Sequence, residues 1–492
     1  MEEVANWPTA QIQLNRQTAA RVRPEHTGRT LIVSNRLPFT AGVEHGSIWL
    51  RPSNGGLASA LRQIHGKSDS IWIGCDNSLE GTDANADVLQ ARFRAARLGN
   101  VRLTSAEMEG FYSRVSNAVL WPLLHGMRTY DTIDEDAWAA FQSANTRFAD
   151  AVAEAWRPGD VVWIHDYQLM LLPALVRARI PNARIGFFLH TPVPDVALLH
   201  ALPRWPQLVE GLAGADSLAF QTRGDASRFV AASNMSQLSH LAQPTDGDVL
   251  LHSRGRVVRV TACPIAIDHR WWAEKSRNPE VLSEAARIRA IAPGPLFVGV
   301  DRLDYTKGIV ERLLAFERLL SFEPQLRGRA RFLQLAVPSR VNVSGYDRLR
   351  AETEELVERI NRQHGTATWK PIDYMRRSID ENMLIALYRA ADVMVVTPRR
   401  DGMNLVAKEF VACRTDGYGA LVLSTGAGAS KELRHAVLVD AMDIGSIMAG
   451  YRRALSMSMG ERSTRMRALR ETIRQRDVFD WANELLRHAA AG

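Results

Sequence analysis

Val395-Val-Thr-Pro-Arg-Arg-Asp-Gly-Met-Asn-Leu-Val-Ala-Lys-Glu409 runs from an apolar strand through a glycine-containing turn into the start of a helix. Asp401-Gly402 lets the backbone approach a ligand with no Cβ in the way. The helix that follows then aims unpaired amide donors at an anion seated there. Glu409 falls one helical turn beyond Leu405, placed to accept hydrogen bonds from ribose hydroxyls. A strand, tight turn and helix in this order cradle a sugar nucleotide, and they predict a doubly wound α/β fold around them.

The rest of the chain repeats the rhythm. Strand-like runs at Thr30–Asn35, Ile71–Gly74, Val161–Asp166, Arg184–His190 and Ser217–Thr222 alternate with helical patterns. The series restarts at Pro295–Asp301, Arg331–Ala336, Val393–Thr397 and Ala420–Thr425. These are near-continuous apolar runs, as parallel strands buried on both faces require. Two Rossmann-like domains are expected, at 29–268 and 269–475. Before them lies a polar tail, 1–28, and after them a terminal helix, 476–492, packing back on the N-terminal domain. The pattern from Glu135 to Trp156 predicts a long helix with Trp138, Phe141, Phe148 and Val152 on its core face. Gly460–Ala491 reads as helix throughout.

Length and composition agree with this plan. The 492 residues, 46% hydrophobic and 23% charged, suit two or three domain-sized units. A net charge of +7, spread along the chain with no basic block, fits phosphorylated small substrates and argues against nucleic acid. Cys75, Cys263 and Cys413 are far apart with no metal-ligand spacing, the pattern of reduced buried thiols in the cytoplasm. No stretch of about eighteen apolar residues predicts a membrane span. The first 28 residues lack the apolar core of a signal peptide. In open parallel sheets ligands lie beyond the carboxyl ends of the strands. Those positions are polar here: Asn35-Arg36, His165-Asp166-Tyr167, His190, Asp301-Arg302 and Arg399-Arg400-Asp401.

Eight ordered motifs carry a resemblance from about Thr30 to the C-terminus. They are Ser34-Asn-Arg-Leu-Pro38, Asn54-Gly-Gly-Leu57, Asn117-Ala-Val-Leu-Trp-Pro122, Trp163-Ile-His-Asp-Tyr167, Gly186-Phe-Phe-Leu-His-Thr-Pro192, Asp301-Arg-Leu-Asp-Tyr-Thr-Lys-Gly308, Val337-Pro-Ser-Arg340 and Arg400–Glu409. The chain resembles the retaining glycosyltransferases that make trehalose 6-phosphate from a nucleotide-glucose and glucose 6-phosphate. That family has the GT-B fold, two Rossmann-like domains facing a central cleft. The resemblance implies that Arg302 and Lys307 hold the donor diphosphate, where a guanidinium and an ammonium stabilise charge on the departing phosphate. It also implies a donor-side glycine pair at Gly55 and Gly56. Sugar hydroxyls would be bound by Asp401, Gly402, Met403 and Asn404, and the nucleotide by Leu405, Val406, Ala407, Lys408 and Glu409. Ile379 stands where a relative has an aromatic residue near the base, which leaves the choice among UDP, GDP and ADP open at this position; UDP-glucose is expected from the resemblance alone.

The acceptor side resembles the family through Arg36, Tyr112, Trp121, Asp166 and Arg340. Two guanidiniums and a phenol clamp a phosphate, a carboxylate takes sugar hydroxyls, and an indole faces the sugar ring. One departure is Trp72-Ile-Gly-Cys75, where the family has a second Trp in place of Cys75. The family's mechanism is front-side: the leaving diphosphate takes the proton of the incoming hydroxyl, so no enzymic base or nucleophile is needed. His190 would position the donor glucose, its carbonyl facing the developing positive charge. With Arg302, Lys307 and Asp401 it completes the expected catalytic set.

No cofactor is expected and no metal; Asp246-Gly-Asp248 reads as a hairpin turn. The expected partners are the small-molecule substrates and a separate phosphatase acting downstream, with neither nucleic acid nor membrane, and a homo-oligomer is left open. Family roles in osmotic tolerance follow from the resemblance alone. Three alternatives share parts of the pattern: a glucosylglycerol-phosphate synthase, a pseudo-glycosyltransferase coupling cyclitols, and a non-catalytic sugar-phosphate sensor. Arg36 and Arg340 weigh against the first, the intact Arg400–Glu409 run against the second, and Arg302, Lys307, Asp401 and Glu409 against the third.

Overall fold

The computed structural model describes residues 28–44, 47–52, 56–76, 86–128, 132–235, 240–245, 248–253, 255–290, 292, 294–338 and 344–491. Gly55, Arg340, most of the N-terminal segment and residues 246–247 lie outside them. The chain divides into two compact units, Met1–Ile265 with Val478–Gly492, and Ala266–Asp477.

The first unit contains β1 (Thr30–Arg36), β2 (Phe39–Glu44), β3 (Ser47–Pro52), β4 (Ser70–Cys75), β5 (Leu98–Asn100), β6 (Val161–His165), β7 (Arg184–Leu189), β8 (Ser217–Phe220), β9 (His240–Thr245), β10 (Asp248–Ser253) and β11 (Arg256–Ala262). One sheet has the order β5-β4-β1-β6-β7-β8-β11-β10-β9, and β2 pairs with β3 separately. Pairing is parallel from β5 to β11; β10 and β9 then add antiparallel. Leu31, Ile32, Val33, Val161, Val162 and Ile164 are fully buried, so helices cover both faces of the sheet. Among β1, β4, β5, β6, β7 and β8 the strand order reverses between β1 and β6, where Ser34 lies opposite His165. That is the point at which a doubly wound sheet opens a ligand crevice at its carboxyl edge. Thr245 lies opposite Asp248 on either side of residues 246–247, and the Asp248 carboxylate is 2.9 Å from Arg259 Nη1.

Gly460–Ala491 is two helices, not one. Met459–Arg474 buries Met466, Leu469 and Ile473 in the second unit, whereas Val478–Ala490 buries Trp481, Leu485 and Leu486 in the first. One continuous stripe could not serve two cores, and the helix breaks at residues 475–477. Trp481 donates its indole N–H to Cys263 O at 3.1 Å and packs on Trp163 and Phe188. Ala489 comes so close to β7 that a Cβ on Gly186 would stand 3.0 Å from its methyl.

The second unit contains β12 (Leu296–Arg302), β13 (Arg331–Val337), β14 (Ile372–Met375), β15 (Val393–Val396), β16 (Ala420–Ser424) and β17 (Val437–Val439). All pairs are parallel, in the order β14-β13-β12-β15-β16-β17. Its core joins Phe297, Phe316, Phe332 and Tyr451 in edge-on and stacked ring contacts. The strand order reverses between β12 and β15. Gly308, with φ 63°, follows β12 so closely to that point that a Cβ would meet Thr397 O at 2.3 Å.

Candidate active site

In the second unit the loop after β12 and the loop after β15 meet where the strand order reverses. Lys307 closes a one-turn helix, Tyr305–Lys307, whose start is held by the Asp304 side chain accepting from Thr306 N at 3.0 Å. Lys307 Nζ lies 2.6 Å from Asp401 Oδ2, although the two residues are 94 positions apart. An ammonium has three donors, so Lys307 can hold Asp401 and still offer hydrogen to phosphate oxygens. Asp401 also accepts from Met403 N at 3.3 Å and Asn404 Nδ2 at 3.2 Å, which fixes the turn. Arg302 is more exposed, with Nη2 3.9 Å from Asp304 Oδ2.

The turn itself is held from behind. Gly428 N donates to Asp401 O, and Ala429 N to Met403 O. A Cβ on Gly428 would meet Gly402 O at 1.9 Å. The left-handed residue is Asn404, φ 80°, whose side chain caps the helix Leu405–Cys413 by accepting from Ala407 N. Within this helix Leu405 and Val406 are partly exposed and Ala407, Lys408 and Glu409 are buried. Lys408 Nζ is 2.6 Å from Glu432 Oε2. Burial pushes the Glu409 carboxyl up to about 7 against the pull of the Tyr388 hydroxyl, which donates to its Oε2 at 2.9 Å. Ile379 is half-buried in the loop between β14 and the helix Glu381–Ala390.

Arg312 is the largest element of this site that sequence reasoning missed. It is completely buried, yet its guanidinium bonds Asp301, Thr397 Oγ1 at 3.0 Å and Lys307 O at 2.6 Å. It thereby ties the Lys307 turn to the loop after β15. A signal existed: Arg312 sits between Ile309 and Phe316 on the apolar face of its own helix, where a solvated arginine would not be placed.

In the first unit Arg36 and Asp166 both leave the sheet at its own reversal point. Arg36 donates to Tyr112 Oη at 2.8 Å and lies 5.0 Å from the centre of that ring. Tyr112 belongs to Glu109–Leu120, a stretch of wide π-helical turns that ends with Trp121 N donating to Ser116 O; such turns are rare and frequent at functional sites. The β4 strand passes directly beneath Arg36: a Cβ on Gly74 would lie 2.7 Å from the Arg36 carbonyl carbon, and Cys75 stands opposite Arg36 in register. Trp121 is buried, its ring tilted against His125 and Tyr167. Gly56 begins the helix Gly56–Gly66.

Asp166 has φ 76° and ψ 168°, a conformation that only glycine adopts without strain. The chain holds it there with Asp166 N donating to Phe188 O at 2.8 Å, and with its carboxylate accepting from His190 N at 3.2 Å. His190 Nε2 lies 3.1 Å from His165 Nδ1. Burial lowers His190 to about 3 and His165 well below the usual histidine range, so both rings are neutral. His165 is fully buried and its Nε2 has no hydrogen-bond partner among the described residues. A buried orphan acceptor costs less than an orphan donor, so His165 carries its proton on Nδ1 and donates to His190 Nε2. His190 then carries its own proton on Nδ1.

A family model described as Glycosyltransferase family 20 matches residues 28–491. The chain belongs to glycosyltransferase family 20. It is 40% identical over 467 residues to the trehalose-6-phosphate synthase of Mycobacterium avium, covering 93% of this chain and 94% of that one. It is 41% identical over 470 residues to the bifunctional trehalose-6-phosphate synthase/phosphatase of Thermoproteus tenax, covering 93% of this chain and spanning 63% of that relative's length. Among solved structures it is similar to the UDP-forming α,α-trehalose-phosphate synthase of Burkholderia xenovorans in complex with glucose-6-phosphate. That match has 31% identity, covers 94% of this chain and all of the other, and has a TM-score of 0.83. The two doubly wound sheets described above are therefore those of the GT-B family members. No helix among the described residues is long and apolar enough to cross a membrane.

Proposed function

We propose that this family 20 glycosyltransferase moves glucose from UDP-glucose to the anomeric hydroxyl of glucose 6-phosphate with retention, releasing UDP and α,α-trehalose 6-phosphate. The observation that carries the reading is the Lys307–Asp401 pair at the reversal point of the second sheet, 2.6 Å apart, with the helix Leu405–Cys413 opening beside it. A cation, a sugar-binding carboxylate and a helix N-terminus together match a diphosphate sugar, and the similar UDP-forming synthase of Burkholderia xenovorans, solved with glucose-6-phosphate, supplies the nucleotide and the acceptor.

In this reading Lys307 and Arg302 take the charge that grows on the diphosphate as the glycosidic bond breaks, while Asp401 orients Lys307 and faces the sugar hydroxyls. The Asp401–Asn404 turn and the Leu405–Glu409 segment hold sugar and nucleotide. In the first unit the Arg36–Tyr112 pair takes the acceptor phosphate; Arg340, which lies outside the described residues, is assigned to that phosphate by the family resemblance alone. Asp166 and Trp121 take the acceptor sugar. Neutral His190 orients the donor glucose as a hydrogen-bond donor through Nδ1. The leaving phosphate oxygen accepts the acceptor's proton on the same face, so retention needs neither an enzymic base, a cofactor nor a metal. Three buried cysteines outside any disulfide support a reducing, cytoplasmic setting, and a separate phosphatase consumes the product.

Incubation of the protein with UDP-, GDP- and ADP-glucose, each with glucose 6-phosphate or glycerol 3-phosphate, tests this by mass spectrometry and NMR. The expected product is a phosphorylated α,α-1,1 disaccharide, formed fastest from UDP-glucose. Turnover with glycerol 3-phosphate alone would overturn the assignment of the acceptor.

A further inference from the structure

Glu409 and Tyr388 stand on neighbouring helices of the second unit, Leu405–Cys413 and Glu381–Ala390, 21 positions apart in sequence. Both side chains are buried, and the phenol oxygen is 2.9 Å from Glu409 Oε2. The Tyr388 ring is fixed on its other sides by Phe410 and Trp272, and its backbone carbonyl accepts from Arg414 Nη1. A phenol with two stiff torsions, held between two rings, keeps its hydroxyl in one place. A carboxylate with one oxygen so occupied is left with the other, Oε1, in a fixed direction.

We propose that Tyr388 is a positioning residue for nucleotide recognition: its hydroxyl locks Glu409 Oε2, so that Oε1 accepts the vicinal hydroxyls of a ribonucleotide and the site discriminates ribose from deoxyribose. The proposal rests on the reading of Glu409 as the ribose acceptor and names the group that makes it selective. A site built to pair with a hydroxyl rejects the analogue that lacks it, because its buried polar group is then left unpaired. An unlocked carboxylate would swing to satisfy itself and lose that preference.

The donor direction is fixed chemically. Burial and the nearby carboxylate push the Tyr388 phenol far up, so it stays protonated and donates to the ionised Glu409 carboxylate, which has no proton to give. The same hydrogen bond holds Glu409 down against burial and against Glu381, so its loss favours the protonated carboxyl, a poorer acceptor. Cys413 and Asp301 are the other titratable groups coupled to this pair; the Cys413 thiol is pushed up by burial and stays neutral.

The test measures calorimetrically, on the whole chain at pH 7.5, the affinities of UDP and of its 2′-deoxy and 3′-deoxy analogues. The variants are Tyr388→Phe, which removes only the hydroxyl, and Phe410→Leu, which loosens one side of the ring but keeps the hydroxyl, its bond to Glu409 and the Trp272 contact. The wild type should prefer UDP over at least one deoxy analogue by about tenfold or more. Tyr388→Phe should lose most of that ratio while binding the deoxy analogue as the wild type does, and Phe410→Leu should keep it. An unchanged ratio in Tyr388→Phe overturns the proposal, as does an equal loss in Phe410→Leu, which would mark a packing effect. If the wild type itself fails to distinguish the sugars, the ribose role of Glu409 falls, and this inference with it, while the product assay above still decides the reaction.

Discussion

Replacing Arg312 by Met isolates the buried charge behind the donor turn. Methionine fills a similar volume but leaves Asp301, 6% exposed, without its guanidinium. The carboxyl must then stay charged in a dry site or take up a proton. From an ordinary value of 3.8, protonation at pH 7 costs about 4 kcal/mol, at about 1.4 kcal/mol per pH unit. That figure agrees with the ~3–5 kcal/mol seen when one partner of a buried ion pair is removed. The cost has a sign in pH. In the variant the folded carboxyl binds a proton more readily than the unfolded one, so the penalty shrinks as pH falls, to about 2 kcal/mol at pH 5.5. Urea unfolding of wild type, Arg312→Met and Asp301→Asn/Arg312→Met at the two pH values reads all of this. The double variant should regain at least about 2 kcal/mol at pH 7, because no charge is left uncompensated. Its affinity for UDP-glucose should not recover, since Lys307 O and Thr397 have both lost the group that joined them. A single-variant loss below about 1 kcal/mol, or one flat in pH, would refute the reasoning.

Two further outcomes follow from the first unit. Asp166→Ala and Asp166→Gly both lose the carboxylate, but only glycine accepts φ 76° and ψ 168°, so the Ala variant should melt with ~1–2 kcal/mol less stability; equal melting would show the backbone relaxes there at no cost. His65, His165 and His190 are all held neutral by burial, the first at about 4 and the last at about 3. Their unfolded forms take up protons below 6.5, so stability is complete above that pH and falls as pH drops below it, by up to ~1.4 kcal/mol per histidine per unit. A urea midpoint unchanged between pH 7 and 5 would contradict this.

Much of the architecture was legible because parallel strands covered on both faces must be apolar throughout. Thr30–Arg36, Val161–His165, Leu296–Arg302 and Val393–Val396 are such runs, and the polar residues closing them stand at the carboxyl edges of two doubly wound sheets. The Val395–Glu409 run also carried its own turn and cap, since Asn404 and Ala407 are three residues apart and act locally. The terminal helical pattern was read as one piece because periodicity reports burial without saying in which core.

What remained hidden were partnerships across the sheet. Strand order places Lys307 beside Asp401, Arg312 beside Thr397 and Tyr388 beside Glu409, pairs separated by 94, 85 and 21 positions. Arg312 and Tyr388 read as members of amphipathic helices; the apolar face around Arg312 signals its burial, but nothing local names the partner of the arginine or of the phenol. The strained backbone of Asp166 is equally silent in sequence, because it is imposed by Phe188 and His190 from the next strand and not by residues at its side. Residue types and spacing determined the elements and the chemistry on offer at their ends; the order of the strands, which only the folded chain supplies, decided which of those groups touch.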